Sequence, residues 1–172
     1  MKYTITTYPN KELFEKTRDI PVDDINSETY GQIGSAMVEI MKDKGGVGLS
    51  ANQVGLPLNM CVVAVHTNDV RLMLNPRITK RSKKIHKSPE GCLSLPGCEV
   101  VVNRYDKVTV EYEDVTGDTQ TFEATGMLSN IMQHEIDHLK GILMINRLSE
   151  YHKNKALKQV HRFRKIRNGK TR

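Results

Sequence analysis

The sequence predicts an α+β fold: short antiparallel strands in small sheets around a central helix, with a basic helix at the C-terminal end. Three observations carry this expectation. From about Ser27 to Lys44, Ile33, Met37, Ile40 and Met41 recur on one helical face, and Gly45-Gly46 ends the run. Between residues 60 and 124 the chain breaks into short apolar or alternating segments separated by turn residues, as strands do. From Thr125 a second helical stripe begins, with Met127, Ile131, His134 and His138 at spacings of four, three and four. Helices and strands are segregated rather than alternating, which separates this pattern from a βαβ fold.

Each element has its own local reasons. Residues 1–24 read as an extended entry with turns at Tyr8-Pro9-Asn10 and Ile20-Pro21 and a short helical piece near Lys11–Lys16. Gly46-Val47-Gly48-Leu49-Ser50-Ala51-Asn52-Gln53-Val54-Gly55 is rich in small residues that let a backbone approach a ligand, yet no G-K-[ST] follows, so it is no phosphate loop. Taken alone, it reads as a tight loop with an exposed Gln53. Met60–His66 is a continuous apolar run suited to a buried strand, and Val70–Leu74 alternates and stops at Asn75-Pro76. Arg77–Ile85 is basic, an edge or a loop. Glu90–Gly97 reads as a turn or a short strand between loops. Val100–Val102, Val108–Glu113 and Thr119–Ala124 are expected as antiparallel strands, the last two joined by the turn Thr116-Gly117-Asp118. Thr125 is the expected N-cap of the second helix, and Lys140-Gly141 its stop.

At 172 residues the chain suits one domain: a body over 1–150, with 151–172 as a basic helix or tail packed on it or extending from it. The net charge of +6 is uneven, because 151–172 hold nine Lys or Arg and no acid, while the first 150 residues are mildly acidic. In that tail Leu157, Val160, Phe163 and Ile166 lie at near-helical spacing. An amphipathic helix packed on the body and a contact with RNA or another anionic surface both fit it. No 18-residue apolar run and no signal-like start are present, so no membrane contact is expected. Three cysteines make no disulfide framework, and a reducing cytosol is the simplest setting.

The chemistry is concentrated in Gln133-His134-Glu135-Ile136-Asp137-His138. Residues four apart share one helix face, so His134 and His138 can close on one metal ion, with Glu135 beside them to act on a metal-bound water. A catalytic site of this kind needs a third protein ligand and one open position. Cys92 is the candidate, since a thiolate and two imidazoles make a good partial shell for Zn²⁺ or Fe²⁺. Cys61 reads as core, and Cys98 as core or surface. His66, His86, His152 and His161 have no ligand spacing to one another.

Three stretches in order, G-V-G-L-S-A-N-Q at 46–53, E-G-C-L-S at 90–94 and Q-H-E-I-D-H at 133–138, resemble the peptide deformylase family. The resemblance covers nearly the whole chain. It implies a hydrolase that removes the formyl group from N-formylmethionine of nascent polypeptides and releases formate. It further implies one divalent metal on Cys92, His134 and His138, with Fe²⁺ expected natively and Zn²⁺, Ni²⁺ or Co²⁺ as replacements. Glu135 is then general base and acid, and Gln53 and the Leu93 backbone N–H are the oxyanion donors. Substrate contacts are expected from Gly46, Val47, Gly48, Glu90, Gly91, Asn130 and Ile131. A monomer in a bacterial-type cytosol is expected, with viral or organellar origin left open, and the basic C-terminal helix would dock on the ribosome near the exit tunnel.

The chain also departs from the family pattern. Ser50 stands where the family usually has Ala, and its hydroxyl is expected to be merely tolerated. Asn130 is polar where an apolar pocket wall is expected, which points to a shifted preference for the first side chain. Glu90 and Arg104 are expected to form a structural ion pair behind the site. Two rival functions compete with this reading. A metzincin-like protease would need x-x-G-x-x-H after His138, but Gly141 is followed by Met144 at the ligand position, and Glu150 comes too early for a second-helix ligand. A structural metal domain with an RNA-binding tail would need four ligands and a closed shell.

Overall fold

The computed structural model describes residues 3–25, 27–66 and 69–169, so the outermost residues of the expected entry and tail lie outside it. Three helices, α1 (Ser27–Asp43), α2 (Gly126–Leu139) and α3 (Glu150–Gly169), accompany seven strands: β1 (Gly48–Ser50), β2 (Met60–His66), β3 (Asp69–Arg81), β4 (Ile85–Gly91), β5 (Glu99–Tyr105), β6 (Lys107–Glu113) and β7 (Thr119–Thr125). A five-stranded sheet runs in the order β1-β2-β3-β6-β7, and β4 and β5 form a separate pair. All the ladders within these sheets are antiparallel. The α+β expectation holds.

The unbroken apolar run of β2 has a direct cause. Its alternate side chains enter two different cores. Met60 and Val62 join Met37 and Met41 of α1, together with Leu49, Ala51 and Leu74. Cys61 and Val63 join Met132, Ile136 and Leu139 of α2, together with Met73, Val108, Val110 and Ala124. Each helix covers one face of the strand, so no position along its buried part is free to be polar. Burial of this kind is worth about 1.5–3 kcal/mol for each large side chain.

A third core lies under the second sheet. It gathers Leu13 from the entry, Leu95 and Cys98 from the turn after β4, Leu143–Ile145 after α2, and Ala156 and Val160 from α3. Cys98 is therefore core. Of the apolar positions expected to mark the tail helix, Val160 is buried, whereas Phe163 and Ile166 are 39% and 53% exposed.

Three expectations are corrected. Asn75-Pro76 does not end a strand, because β3 continues through it to Arg81. Asn75 takes a left-handed φ of 49°, and its side-chain amide exchanges two 2.8 Å hydrogen bonds with the backbone of Ile20. The ladder with β6 shifts register here, which accommodates the missing N–H of Pro76. Second, Glu90–Gly97, expected as a turn or a short strand between loops, opens as the end of a longer strand: β4 pairs along its whole length with β5, from Ile85↔Tyr105 to Gly91↔Glu99. Third, the glycine-rich stretch is an edge strand followed by a 3-10 turn, and Gln53 is buried, not exposed. In each case long-range pairing overrides local turn chemistry.

Candidate metal centre and active site

Helix α2 starts at the expected N-cap, Thr125, although that hydroxyl makes no capping bond. Its C-terminal end is closed by backbone bonds from Lys140 and Gly141, the latter at φ +71°. The stripe read from the sequence is not the core face. Met127 is 74% exposed, and the core is met instead by Met132, Ile136 and Leu139, one position round the helix. Met127, Ile131 and His134 line a cleft of about 990 Å³.

The cleft is walled by Gly46, Val47 and Gly48 on one side, by Glu90, Gly91, Cys92 and Leu93 on another, and by Asn130, Ile131, His134 and Glu135 from α2. Every substrate-contact candidate named from the sequence therefore borders it. Thr4, Ile5, Lys44, Gln159 and Arg167 also line it. They were missed because nothing in their local sequence marks them, and only the packing of the entry, of the end of α1 and of α3 brings them there.

Cys92, His134 and His138 form the one group of three or more His, Cys, Asp or Glu among the described residues whose ligand atoms all lie within 4.8 Å of one another. Cys92 Sγ and His134 Nε2 are each 3.2 Å from His138 Nε2. Three such donor atoms converging on one point suit a shared cation. Metal–nitrogen and metal–sulfur bonds of about 2.0–2.3 Å put tetrahedral donors about 3.3–3.6 Å apart, close to what is seen. The ring orientation fits as well. The Nδ1–H of His134 donates to Glu90 Oε2 at 2.9 Å, which turns Nε2 toward the centre as a lone pair. Burial, above all, pushes His138 well below the ordinary imidazole range, so this ring too is neutral. The residues fit one divalent metal. Met144 is buried in the third core and Glu150 begins α3 as an exposed residue, so neither joins the group.

Behind the ligands lies a buried charge network. Arg104 on β5, 1% exposed, donates to both carboxylate oxygens of Glu90 on β4, at 2.7 and 3.0 Å, and to Asp137 on α2 at 2.5 Å. Arg147 adds a two-point contact to the same Asp137. Burial pushes the Glu90 carboxyl up, but the hydrogen bonds from His134 and Arg104 outweigh it and hold it at about 2. The Glu90–Arg104 pair was expected; Asp137 and Arg147 were not. An acid inside a core helix was the available signal. Glu90 borders the cleft, but His134 and Arg104 already engage its carboxylate.

Glu135 is 4% exposed. Burial raises its carboxyl above the ordinary range, opposed by His134 and by a hydrogen bond from Ser50. That bond runs from Ser50 Oγ to Glu135 Oε2 at 2.5 Å. The Ser50 hydroxyl is thus engaged rather than merely accommodated. Gln53 accepts from Ser50 N at 2.9 Å, while its Nε2 donates to Ser94 Oγ at 3.0 Å and points at Cys92 Sγ at 3.6 Å. Asn52, which the sequence did not single out, donates to the carbonyl of His138 at 2.6 Å and ties the same stretch to the end of α2.

A family model described as polypeptide deformylase matches residues 2–154. The chain belongs to the polypeptide deformylase family. Among its relatives, the peptide deformylase of Borreliella burgdorferi is 39% identical over 158 residues, covering 91% of this chain and 94% of that protein. The one from Bartonella bacilliformis is 36% identical over 152 residues, 83% of each. Among solved structures, a peptide deformylase from Legionella pneumophila superposes with a TM-score of 0.90 at 29% identity over 98% of both chains. One from Synechococcus elongatus in complex with actinonin gives 0.84 at 29% identity, over 92% of this chain and 86% of that one. This family member shares its α+β fold with those solved structures.

Removing the guanidinium would leave the buried Glu90 carboxylate with His134 alone and Asp137 with Arg147 alone, and so loosen the His134 ring. Arg104→Ala should therefore cost about 3–5 kcal/mol in denaturant unfolding and lower the metal bound per chain. Unchanged stability and metal content would show that the network does not hold the centre.

Proposed function

We propose that Glu135, Gln53 and the Leu93 backbone N–H carry out formamide hydrolysis beside a metal held by Cys92, His134 and His138. The chain is a peptide deformylase, a metal-dependent hydrolase that removes the N-formyl group of nascent polypeptides and releases formate. The observation that carries the assignment of roles is the convergence of one sulfur and two imidazoles in a cleft, with a buried carboxylate on the same helix turn. A divalent cation bound there lowers the pKa of water and polarises a carbonyl oxygen.

The residues of the chain do the rest. Glu135 takes a proton from the attacking water and passes it to the leaving amine. Burial favours the protonated form of its carboxyl, which helps a group that must hold a proton before returning it. The negative charge on the former carbonyl oxygen meets two donors. One is the Leu93 N–H, which has no hydrogen-bond acceptor among the described residues. The other is the Gln53 N–H now turned weakly toward Cys92 Sγ. By comparison with oxyanion-hole deletions in other enzymes, each is worth about 3–4 kcal/mol.

We take the native metal to be Fe²⁺, with Zn²⁺, Ni²⁺ or Co²⁺ able to replace it, because a thiolate with two imidazoles suits these borderline cations. A bacterial-type cytosol suits three free thiols, and no described helix is long and apolar enough to cross a membrane. We read 1–150 as the catalytic body and 151–172 as a basic C-terminal stretch, packed on it or extending from it.

Formate release from a formylated peptide, with every peptide bond left intact, is the expected activity; cleavage of internal bonds would point to a protease instead. Glu135→Gln should keep its metal and lose at least about a hundredfold in kcat. Full activity in that variant would remove Glu135 from the mechanism.

Asn130 sets the preference for the first side chain in this reading. Its Oδ1 is buried at the cleft with no hydrogen-bond partner among the described residues. An amide in that wall, turned so that it can hydrogen-bond, favours a polar first residue over a purely apolar one. Comparing methionine, norleucine and more polar first residues should show Asn130→Ile shifting toward the apolar ones. Superimposable profiles would remove Asn130 from selectivity.

The exposed basic face of α3 is the surface we assign to ribosome docking, because substrates emerge there. Since Ala156 and Val160 are part of the third core, deleting the helix would confuse docking with folding. Replacing Lys158, Arg162 and Lys165, all outside the buried positions, by Glu is the cleaner test. Co-sedimentation with ribosomes should fall while turnover of a short formyl peptide is kept, and equal sedimentation would exclude docking through this face.

A further inference from the structure

Residues 48 and 50 of β1 point to one face of the strand, and both meet Glu135. A Cβ at Gly48 would lie 2.4 Å from Glu135 Oε1, so the missing side chain is what makes room for that oxygen. Two residues on, the Ser50 hydroxyl donates to Oε2 at 2.5 Å and lies 3.0 Å from the main-chain carbonyl oxygen of Glu135. Ser50 is fully buried. Gly48 borders the cleft and Ser50 does not. The two carboxylate oxygens are therefore distinguished: one sits over a glycine at the cleft wall, and the other is tied down behind it.

We propose that Ser50 is a positioning residue for Glu135, fixing Oε2 against β1 so that Oε1 is the oxygen presented to the cleft. A glutamate side chain has three rotatable bonds, and neither the proton it takes nor the one it returns tolerates a misplacement of an ångström. Charge-assisted O–H···O⁻ bonds of this length are among the stronger ones available to a side chain. The bond also crosses from the edge strand to the helix that carries both imidazoles, so it sets the carboxylate relative to the ligands rather than only its rotamer. Gln53, on the turn that follows β1, is held by the backbone N–H of the same Ser50. One residue thus places the proton carrier through its hydroxyl and the amide donor through its backbone.

This inference rests on Glu135 being the proton carrier, so the two are tested side by side. Ser50→Ala should lower kcat for a formylated peptide about tenfold, with KM within about twofold and metal content and melting temperature kept. A crystal structure of Ser50→Ala should show the Glu135 carboxylate displaced or split between rotamers. An unchanged kcat, a carboxylate that stays in place, or a fall in kcat that tracks lost metal overturns the positioning role. Glu135→Gln measured alongside separates the cases. If it is inactive while Ser50→Ala behaves as wild type, only the positioning role fails; if it is fully active, the role of Glu135 fails first.

Discussion

The guanidinium of Arg104 sits where the two sheets and the central helix meet. It is buried, it starts from β5, and it binds Glu90 on β4 and Asp137 on α2 at once. Buried charges are costly unless each is matched, and here they are: Arg104 and Arg147 carry two positive charges against the two carboxylates. Such networks hold positions more than they add stability. What this one holds is the angle of the His134 ring, because the oxygen of Glu90 that Arg104 steadies also accepts the Nδ1–H of His134. Cys92 follows Glu90 by two residues, so one ion pair places a ligand from each of two distant segments.

A second constraint comes from the other direction. The edge strand β1 and its 3-10 turn press small residues against the same helix from the opposite side. Ser50 and Asn52 bond to Glu135 and His138, and Gly48 leaves the space that Glu135 fills. The metal-binding helix is thus clamped between a charged network and a strand of small polar groups. The cleft opens between the clamps, where neither reaches.

Much of this was legible in the sequence, and the failures have common causes. The α+β class, α1, the helix of the histidines and the trio Cys92, His134 and His138 follow from periodicity and from ligand chemistry, which are local properties. The misreadings concern pairing over distance. The continuation of β3 through Asn75-Pro76 depends on Ile20, 55 residues away. The stripe Met127-Ile131-His134 has helical spacing but faces the cleft, and spacing alone does not tell a wall from a core. Asp137 and Arg147 were passed over because a charge in a helix reads by default as a solvated one. Ser50 was read as a tolerated substitution because only the fold brings it to Glu135, 85 positions along the chain.

The third core joins segments made at very different times. Leu13 is near the start of the chain, Leu95 and Cys98 flank the turn that follows Cys92, and Ala156 and Val160 come near its end. Gly97, at φ +75°, lies so close to Phe163 that a methyl group there would meet the ring at 2.4 Å. The backing of the sulfur ligand is consequently finished by α3, a segment made after every candidate ligand. In vectorial synthesis this protein, itself a processor of newborn chains, completes its own reaction chamber only after all three candidate ligands and Glu135 have been made.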